Sequence, residues 1–484
     1  MKIVFISSEC VPYASTGGLG DVSSSLPIAL HALGHDVCRI LPLYRSVTEC
    51  NISLSLVQSA IPIGIGYETR MAEVYASDDD GVPTYFISRE EYFDRSHLYG
   101  LPHRDYDDLF ERFLFFQKAA VALIDLLRLD ADMVHTHDWQ TGLVGFFLEH
   151  GVQGRGRGRQ ERTVFTIHNL GYQGLFPGTE FARTGLPYPC FSTEDGLEFY
   201  GKLSCLKGGL VSADAVTTVS ESYAEEIRTE DGGRGLEGVL SGLGDRLVGI
   251  TNGIDYTAWN PATDKSLTTP YDSDSSDEGK KKAKNALREK VGLSDAPDIP
   301  LIGMITRLTH HKGLDLLSEA MPEIMKRNLQ FVLLGSGEPG YCDLAADWMD
   351  QWNGKCVCEI GFDAGLARLI YAAADIILVP SVFEPCGLSQ LYCMRYGGIP
   401  VVHRTGGLAD TVVDVREDPV DGTGVQFSPH EKDPLVSAID AALDIWNDPA
   451  SRKAIRQRGM ARDSSWNTSA AKYVQLYESV LGSK

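Results

Sequence analysis

A chain of 484 residues is too long for one ordinary hydrophobic core and comfortable for two domains. Its 43% hydrophobic and 23% charged residues are values of a soluble globular protein, and no apolar run reaches the roughly 18 residues of a membrane span. The net charge of −22 argues against nucleic acid and polyanion partners, which call for a basic face, but leaves room for a small phosphorylated substrate held by a few local cations.

In chain order, the opening run Lys2-Ile3-Val4-Phe5-Ile6 is too short for a signal peptide and has no small-residue cleavage site after it. It reads as a first β-strand over 2–7, and the expectation is a cytoplasmic protein without membrane contact. The loop Glu9-Cys10-Val11-Pro12-Tyr13-Ala14-Ser15-Thr16-Gly17-Gly18-Leu19-Gly20-Asp21 then leads into a helix over 22–33, with Asp21 as its N-cap. Adjacent glycines there suit either an anion site at a helix N-terminus or a plain tight turn. Asp78-Asp79-Asp80 resembles a metal-holding aspartate run, yet an exposed turn before Gly81 explains it better. A helix is expected over 109–127. His135-Thr136-His137-Asp138 has no partner cluster at metal-ligand spacing. The ten cysteines form no zinc pattern, Cys356 and Cys358 being a lone C-x-C, so free thiols are expected.

Further apolar runs at 37–44, 133–135, 164–167, 215–219, 301–305, 330–334, 376–379 and 399–402 read as strands, with helical stretches between them, as over 436–446. Strand–helix alternation with continuous Val/Ile/Leu strands indicates parallel sheets covered by helices. A polar stretch over 260–284, with Asp272-Ser273-Asp274-Ser275-Ser276-Asp277-Glu278 before Lys280-Lys281-Lys282, reads as a linker or surface loop. The division is therefore one α/β domain over 1–255 and a second over 256–465. A last helix over 466–484 places Tyr473, Tyr477 and Leu481 at helical spacing, and is expected to return to the first domain.

Several strand ends carry chemistry. Thr306-Arg307-Leu308-Thr309-His310-His311-Lys312-Gly313 sets two cations on one loop, which suits a diphosphate, although most such cations are only solvated. Glu384-Pro385-Cys386-Gly387-Leu388-Ser389 opens a helix over 388–396, and its carboxylate is either a site residue or a cap. Gly335-Ser336-Gly337-Glu338-Pro339-Gly340 matches a dinucleotide fingerprint, with Glu359 near the acidic position. It lies on the second strand of its domain rather than the first, which disfavours a nicotinamide enzyme. Thr16-Gly17-Gly18-Leu19 recurs as Thr405-Gly406-Gly407-Leu408, as two similar doubly wound domains presenting equivalent glycine turns across a cleft would show.

Taken together, the N-terminal glycine loop, His137-Asp138-Trp139, Thr166-Ile167-His168-Asn169-Leu170, Thr251-Asn252-Gly253-Ile254-Asp255, Arg307 with Lys312-Gly313, Phe383-Glu384-Pro385-Cys386-Gly387-Leu388 and Arg404-Thr405-Gly406-Gly407-Leu408 resemble, in this order, the bacterial glycogen synthases and plant starch synthases. The resemblance runs from the first strand to the last helix. It implies a GT-B fold of two Rossmann-like domains, the first on the acceptor side and the second holding the nucleotide-sugar donor. The implied reaction moves glucose from ADP-glucose to the non-reducing 4-hydroxyl of an α-1,4-glucan, glycogen or a malto-oligosaccharide, with retention and with neither cofactor nor metal. By motif match, Arg307 and Lys312 bind the donor diphosphate, Gly18 offers it a backbone N–H, and Glu384 holds sugar hydroxyls. Cys386, Gly387, Leu388, Ser389 and Thr405 line the donor site. His168 and Asn252 contact the glucose around its 6-hydroxyl. Asp138, Trp139 and Tyr99 lie near the sugar and acceptor, and Phe362 stacks on the adenine. The family's loop lysine is replaced here by Ser15. One charge-assisted hydrogen bond is worth roughly 1.5–3 kcal/mol, so weakened donor handling is expected. The alternatives are a related transferase using UDP-glucose or a small acceptor, and a catalytically weak glucan-binding paralogue.

Overall fold

A computed structural model describes residues 1–101, 104–152, 161–296 and 298–483. The chain divides into two compact units, one formed by Met1–Gly253 with Trp466–Lys484 and the other by Ile254–Ser465.

In the first unit nine strands form one sheet. Its spatial order is Leu247–Gly249, Ala215–Thr218, Arg162–Ile167, Met133–His137, Lys2–Ile6, Asp36–Pro42, Thr84–Ser88, Glu68–Ser77 and Ser55–Ile65. The first seven run parallel, and a hairpin adds the last two antiparallel. Alternate residues of each strand face opposite sides. Val4 and Ile6 join the cluster around the helix Leu109–Leu127, whereas Ile3 and Phe5 pack with Val22, Leu26, Trp466, Tyr473 and Tyr477. The last helix, Trp466–Gly482, thus completes one face of the first unit's sheet.

In the second unit six parallel strands follow the order Cys356–Ile360, Gln330–Gly335, Leu301–Ile305, Ile376–Val379, Ile399–His403 and Val425–Phe427. Phe331 and Leu333 enter one apolar cluster, Val332 and Leu334 the other. Both faces are covered, which is why these strands read as continuous apolar runs.

Three expectations are corrected. The polar stretch before residue 284 is not all loop, since Ser276–Val291 is a helix. Lys280 and Lys284 lie on its buried side: Lys280 Nζ donates to the carbonyls of Ala372 and Tyr396 at 3.0 Å and of Tyr371 at 3.3 Å, and Lys284 pairs with the Asp375 carboxylate. Lys280 satisfies carbonyls at two helix ends that have no intrahelical donor. Burial pushes its ammonium down to about 7. The Tyr271 hydroxyl also donates to the Tyr396 carbonyl at 2.9 Å and to that of Ala372 at 3.4 Å, so Lys280→Met is expected to lower stability by about 1 kcal/mol, the cost of the Tyr371 carbonyl that loses its donor, as read from urea unfolding. Asp80 is not merely a turn residue: it pairs with the fully buried Arg39, which also donates to Thr84 Oγ1 at 3.0 Å. Asp21 does not cap its helix, which spans Gly18–Ala32 with Gly17 at the N-cap. Asp21 sits inside the first turn, and burial, with the Glu9 charge nearby, pushes its carboxyl up to about 6.

Candidate active site

The residues singled out by sequence gather at the C-terminal ends of parallel strands, where open α/β sheets bind ligands. They form two sets, one in each unit.

In the first unit, Lys2–Ile6 runs into the glycine loop, and Glu9 organises that loop. Buried to 4% exposure, its carboxylate accepts from the Thr16 backbone N–H at 2.6 Å, from Thr16 Oγ1 at 2.7 Å and from the Tyr99 hydroxyl at 2.6 Å. Ser8 Oγ lies 3.0 Å from the same hydroxyl. Glu9 thereby fixes Thr16-Gly17-Gly18 and Tyr99 with one group. Ser15 and Gly18 are exposed, and Ser15 Oγ donates to the Gly17 carbonyl at 3.2 Å.

Asp138 ends Met133–His137 with φ 55°, a left-handed backbone uncommon for a residue with a side chain. Its Oδ1 accepts from the His168 backbone N–H at 2.8 Å. Burial pushes its carboxyl up to about 7, the Glu9 charge adding to this and the N–H groups of His168 and Asn169 opposing it. His168 follows Arg162–Ile167, and its Nε2 lies 3.0 Å from His137 Nδ1. Burial lowers the His168 imidazole to about 3, so it is neutral. Asn252 is buried, and its Oδ1 has no hydrogen-bond partner among the described residues. Trp139 is buried against Phe113 and Phe176 at centroid distances of 5.2 and 5.6 Å.

In the second unit, Lys312 Nζ meets Glu384 Oε2 at 2.6 Å, and Ser381 Oγ donates to the same oxygen at 2.9 Å. Burial alone would raise the Glu384 carboxyl, but the Lys312 charge and both hydrogen bonds hold it below the usual carboxylate range. Arg307 is exposed, and among the described residues its guanidinium has no ion-pair partner. Phe362 is 93% exposed, next to Gly361 at φ +152°. Cys386 and Thr405 are buried, while Gly387, Leu388 and Ser389 are half-buried at the start of Ser389–Arg395.

Two glycines let three loops interlock. Gly313 has φ +77°, and a methyl there would overlap the Pro380 carbonyl; one on Gly407 would overlap the Cys386 carbonyl. Two glycines of the dinucleotide-like run have a packing role too, since a side chain on Gly335 would strike the Thr306 carbonyl and one on Gly337 the Leu308 backbone. Among the described residues, no three His, Cys, Asp or Glu side chains are grouped to hold a metal ion. No helix among the described residues is long and apolar enough to cross a membrane.

Chemically, the second unit offers a held carboxylate with two cations, which suits a sugar linked to a diphosphate. Residues 2–242 match the family model of the starch synthase catalytic domain, and 286–462 match glycosyl transferases group 1. The chain is 43% identical to a glycogen synthase of Syntrophotalea carbinolica, with 99% of each chain covered. It is 42% identical to a glycogen synthase of Geotalea daltonii, with 100% of each covered. The chain belongs to the glycogen and starch synthase family. The catalytic domain of starch synthase IV from Arabidopsis thaliana, solved bound to ADP and acarbose, matches the synthase with a TM-score of 0.90 at 33% identity, over 99% of each chain. A sucrose-phosphate synthase from Thermosynechococcus elongatus, at TM-score 0.62 and 20% identity over 100% of each chain, shares the two-domain GT-B fold. These likenesses make the synthase a glycosyltransferase and do not favour the small-acceptor or catalytically weak alternatives.

Sequence reasoning missed Glu9, Ser381 and His137 as parts of the site. Glu9 lies directly behind the first strand, as Ser381 does behind Ile376–Val379, and that position was the available signal. His137 stands in the His137-Asp138-Trp139 motif, which was its available signal, but its meeting with His168 across two strand ends is not visible in one dimension.

Proposed function

We propose that the synthase extends the non-reducing 4-hydroxyl of an α-1,4-glucan with glucose from ADP-glucose, with retention, in the cytoplasm. The observation that carries this reading is the Lys312–Glu384 pair, 2.6 Å apart, with the exposed Arg307 on the same loop as Lys312, in a chain similar throughout to a starch synthase solved with ADP. Arg307 and Lys312 stabilise the departing diphosphate, and Glu384, held ionised, accepts from sugar hydroxyls. Positive charge growing at the anomeric carbon is met by the carboxylate of Asp138 and by fixed dipoles. The acceptor hydroxyl attacks from the side on which the diphosphate leaves, and the diphosphate takes its proton. Phe362 offers a free ring face to the adenine. This reading uses no resident cofactor.

The test is nucleoside-diphosphate release from ADP-glucose and from UDP-glucose, each with glycogen. Glycogen-dependent release of ADP that Glu384→Ala abolishes is the expected result. Release from UDP-glucose alone, or from neither, overturns the proposed donor. Ser15→Lys, on an exposed loop with room for a longer side chain, is expected to lower the donor KM about tenfold by adding one charge-assisted bond. Unchanged KM and kcat would mean that Ser15 costs the enzyme nothing.

A further inference from the structure

Three imidazoles lie in sequence beneath the first unit's strand ends. His135 and His137 have ring centroids 4.2 Å apart, and His137 and His168 5.3 Å apart. Both nitrogens of His135 are engaged, Nδ1 at 2.7 Å from the Tyr477 hydroxyl and Nε2 at 2.6 Å from Thr166 Oγ1. His137 differs. Its Nδ1 meets His168 Nε2 at 3.0 Å, while its Nε2 is buried with no partner among the described residues. Burial drives all three imidazoles below their ordinary range, so each is neutral and carries one N–H and one lone pair.

Those facts choose a tautomer. If His168 Nε2 carried the proton, His137 Nδ1 would have to accept it, and the proton of His137 would sit on Nε2. That would be a buried N–H without an acceptor, which folded proteins avoid more strictly than an unused lone pair. The donor is therefore His137 Nδ1–H. His168 Nε2 accepts, and the His168 proton resides on Nδ1, the one ring nitrogen its neighbours leave free.

We propose that His137 is a positioning residue that fixes His168 as the Nδ1–H tautomer, so that one donor sugar hydroxyl accepts from His168 and gives its own proton to Asn252 Oδ1. This rests on the reading of His168 and Asn252 as sugar contacts. The second half follows from the orphaned acceptor. Asn252 Oδ1 is buried and unpartnered, and Asn252 follows a strand two places along the sheet from the one that bears His168. At the usual strand spacing that is about 10 Å, a gap that an imidazole and a carboxamide close from either side of one hydroxyl. A donor opposed to an acceptor reads a group that can both accept and donate, and disfavours a hydrogen or a methyl in its place.

The test is long-range 1H–15N correlation on the full chain labelled with 15N-histidine near neutral pH, His168 being assigned by its loss in His168→Gln. A His168 signal of the Nδ1–H form is expected; the Nε2–H form, or averaging between the two, overturns the proposal. His137→Leu is expected to give averaged His168 signals and to lower kcat/KM about tenfold, what one hydrogen bond of ordinary strength supplies. It should also shrink the preference for glucose over 6-deoxyglucose donors. His137→Asn, whose amide can donate from a similar position, is expected to retain the tautomer and most of the rate. Equal losses in both variants with an unchanged His168 tautomer would make His137 a packing residue and overturn the assignment. The spectrum needs no turnover, so a protein inactive with either donor would count against the synthase reading while the tautomer remained measured on its own.

Discussion

Lys312→Ala is expected to lower kcat about a thousandfold and stability by about 3 kcal/mol. The two effects have one source. The ammonium lies 2.6 Å from Glu384 Oε2, with side-chain exposures of 17% and 13%, and its loss leaves a mostly buried carboxylate with the Ser381 hydroxyl donating to it. Removing one partner of a buried pair costs about 3–5 kcal/mol, and partial exposure places this case at the low end. A fixed donor aimed at charge that develops in the transition state is worth about 100- to 1,000-fold in kcat. Glu384 has a depressed carboxyl, so its contribution to stability is present at neutral pH and is lost as pH falls through and below the ordinary carboxylate range. That acid sensitivity should weaken in Lys312→Ala. Adding Glu384→Gln to Lys312→Ala should recover most of the stability and none of the activity. Urea unfolding and steady-state kinetics check both. A Lys312→Ala enzyme that lost stability and kept its kcat would remove Lys312 from the leaving-group role.

Asp138→Asn should have opposite effects on stability and activity. A carboxyl raised from 3.8 to about 7 binds its proton more tightly in the folded state than in the unfolded one. Stability therefore falls as pH rises from about 4 to about 7, and the full cost stands above that window. Three pKa units correspond to about 4 kcal/mol. Asparagine keeps an oxygen for the His168 N–H and carries no charge, so at pH 8 the variant should be more stable by an appreciable part of that amount. The same substitution removes the negative charge that the proposed reaction sets against the anomeric carbon, and should cost about 100-fold or more in kcat. In the parent enzyme the rate should rise with pH through about 7 as Asp138 ionises. A flat profile there, with an active Asp138→Asn, would remove the carboxylate from the reaction.

The alternation of apolar strands and helices was legible because both sheets are covered on both faces, and parallel strands in that setting carry Val, Ile and Leu without interruption. The motif residues were legible as strand-end positions for the same reason. What one dimension hides is partnership. Lys280 belongs to a charged run that reads as solvated, and its burial is decided by the carbonyls of Tyr371, Ala372 and Tyr396, more than ninety residues away in sequence. Asp80 looks like a turn residue until Arg39 is placed opposite it. Glu9 is visible in a motif, but its hold on Tyr99 depends on a loop ninety residues on. Asp21 has the chemistry of a cap, but the helix begins three residues earlier, at Gly18, which places Asp21 inside the first turn.

The membership of Trp466–Gly482 in the first unit has a consequence for biosynthesis. Phe5, Val22 and Leu26 emerge from the ribosome more than four hundred residues ahead of Trp466, Tyr473 and Tyr477, against which they pack. At about 5–20 residues per second, that apolar surface waits tens of seconds for its cover, while the whole of the second unit is synthesised between them. Nascent chains halted before residue 466 should therefore keep this surface exposed and bind chaperones, and should release them once the last helix is out.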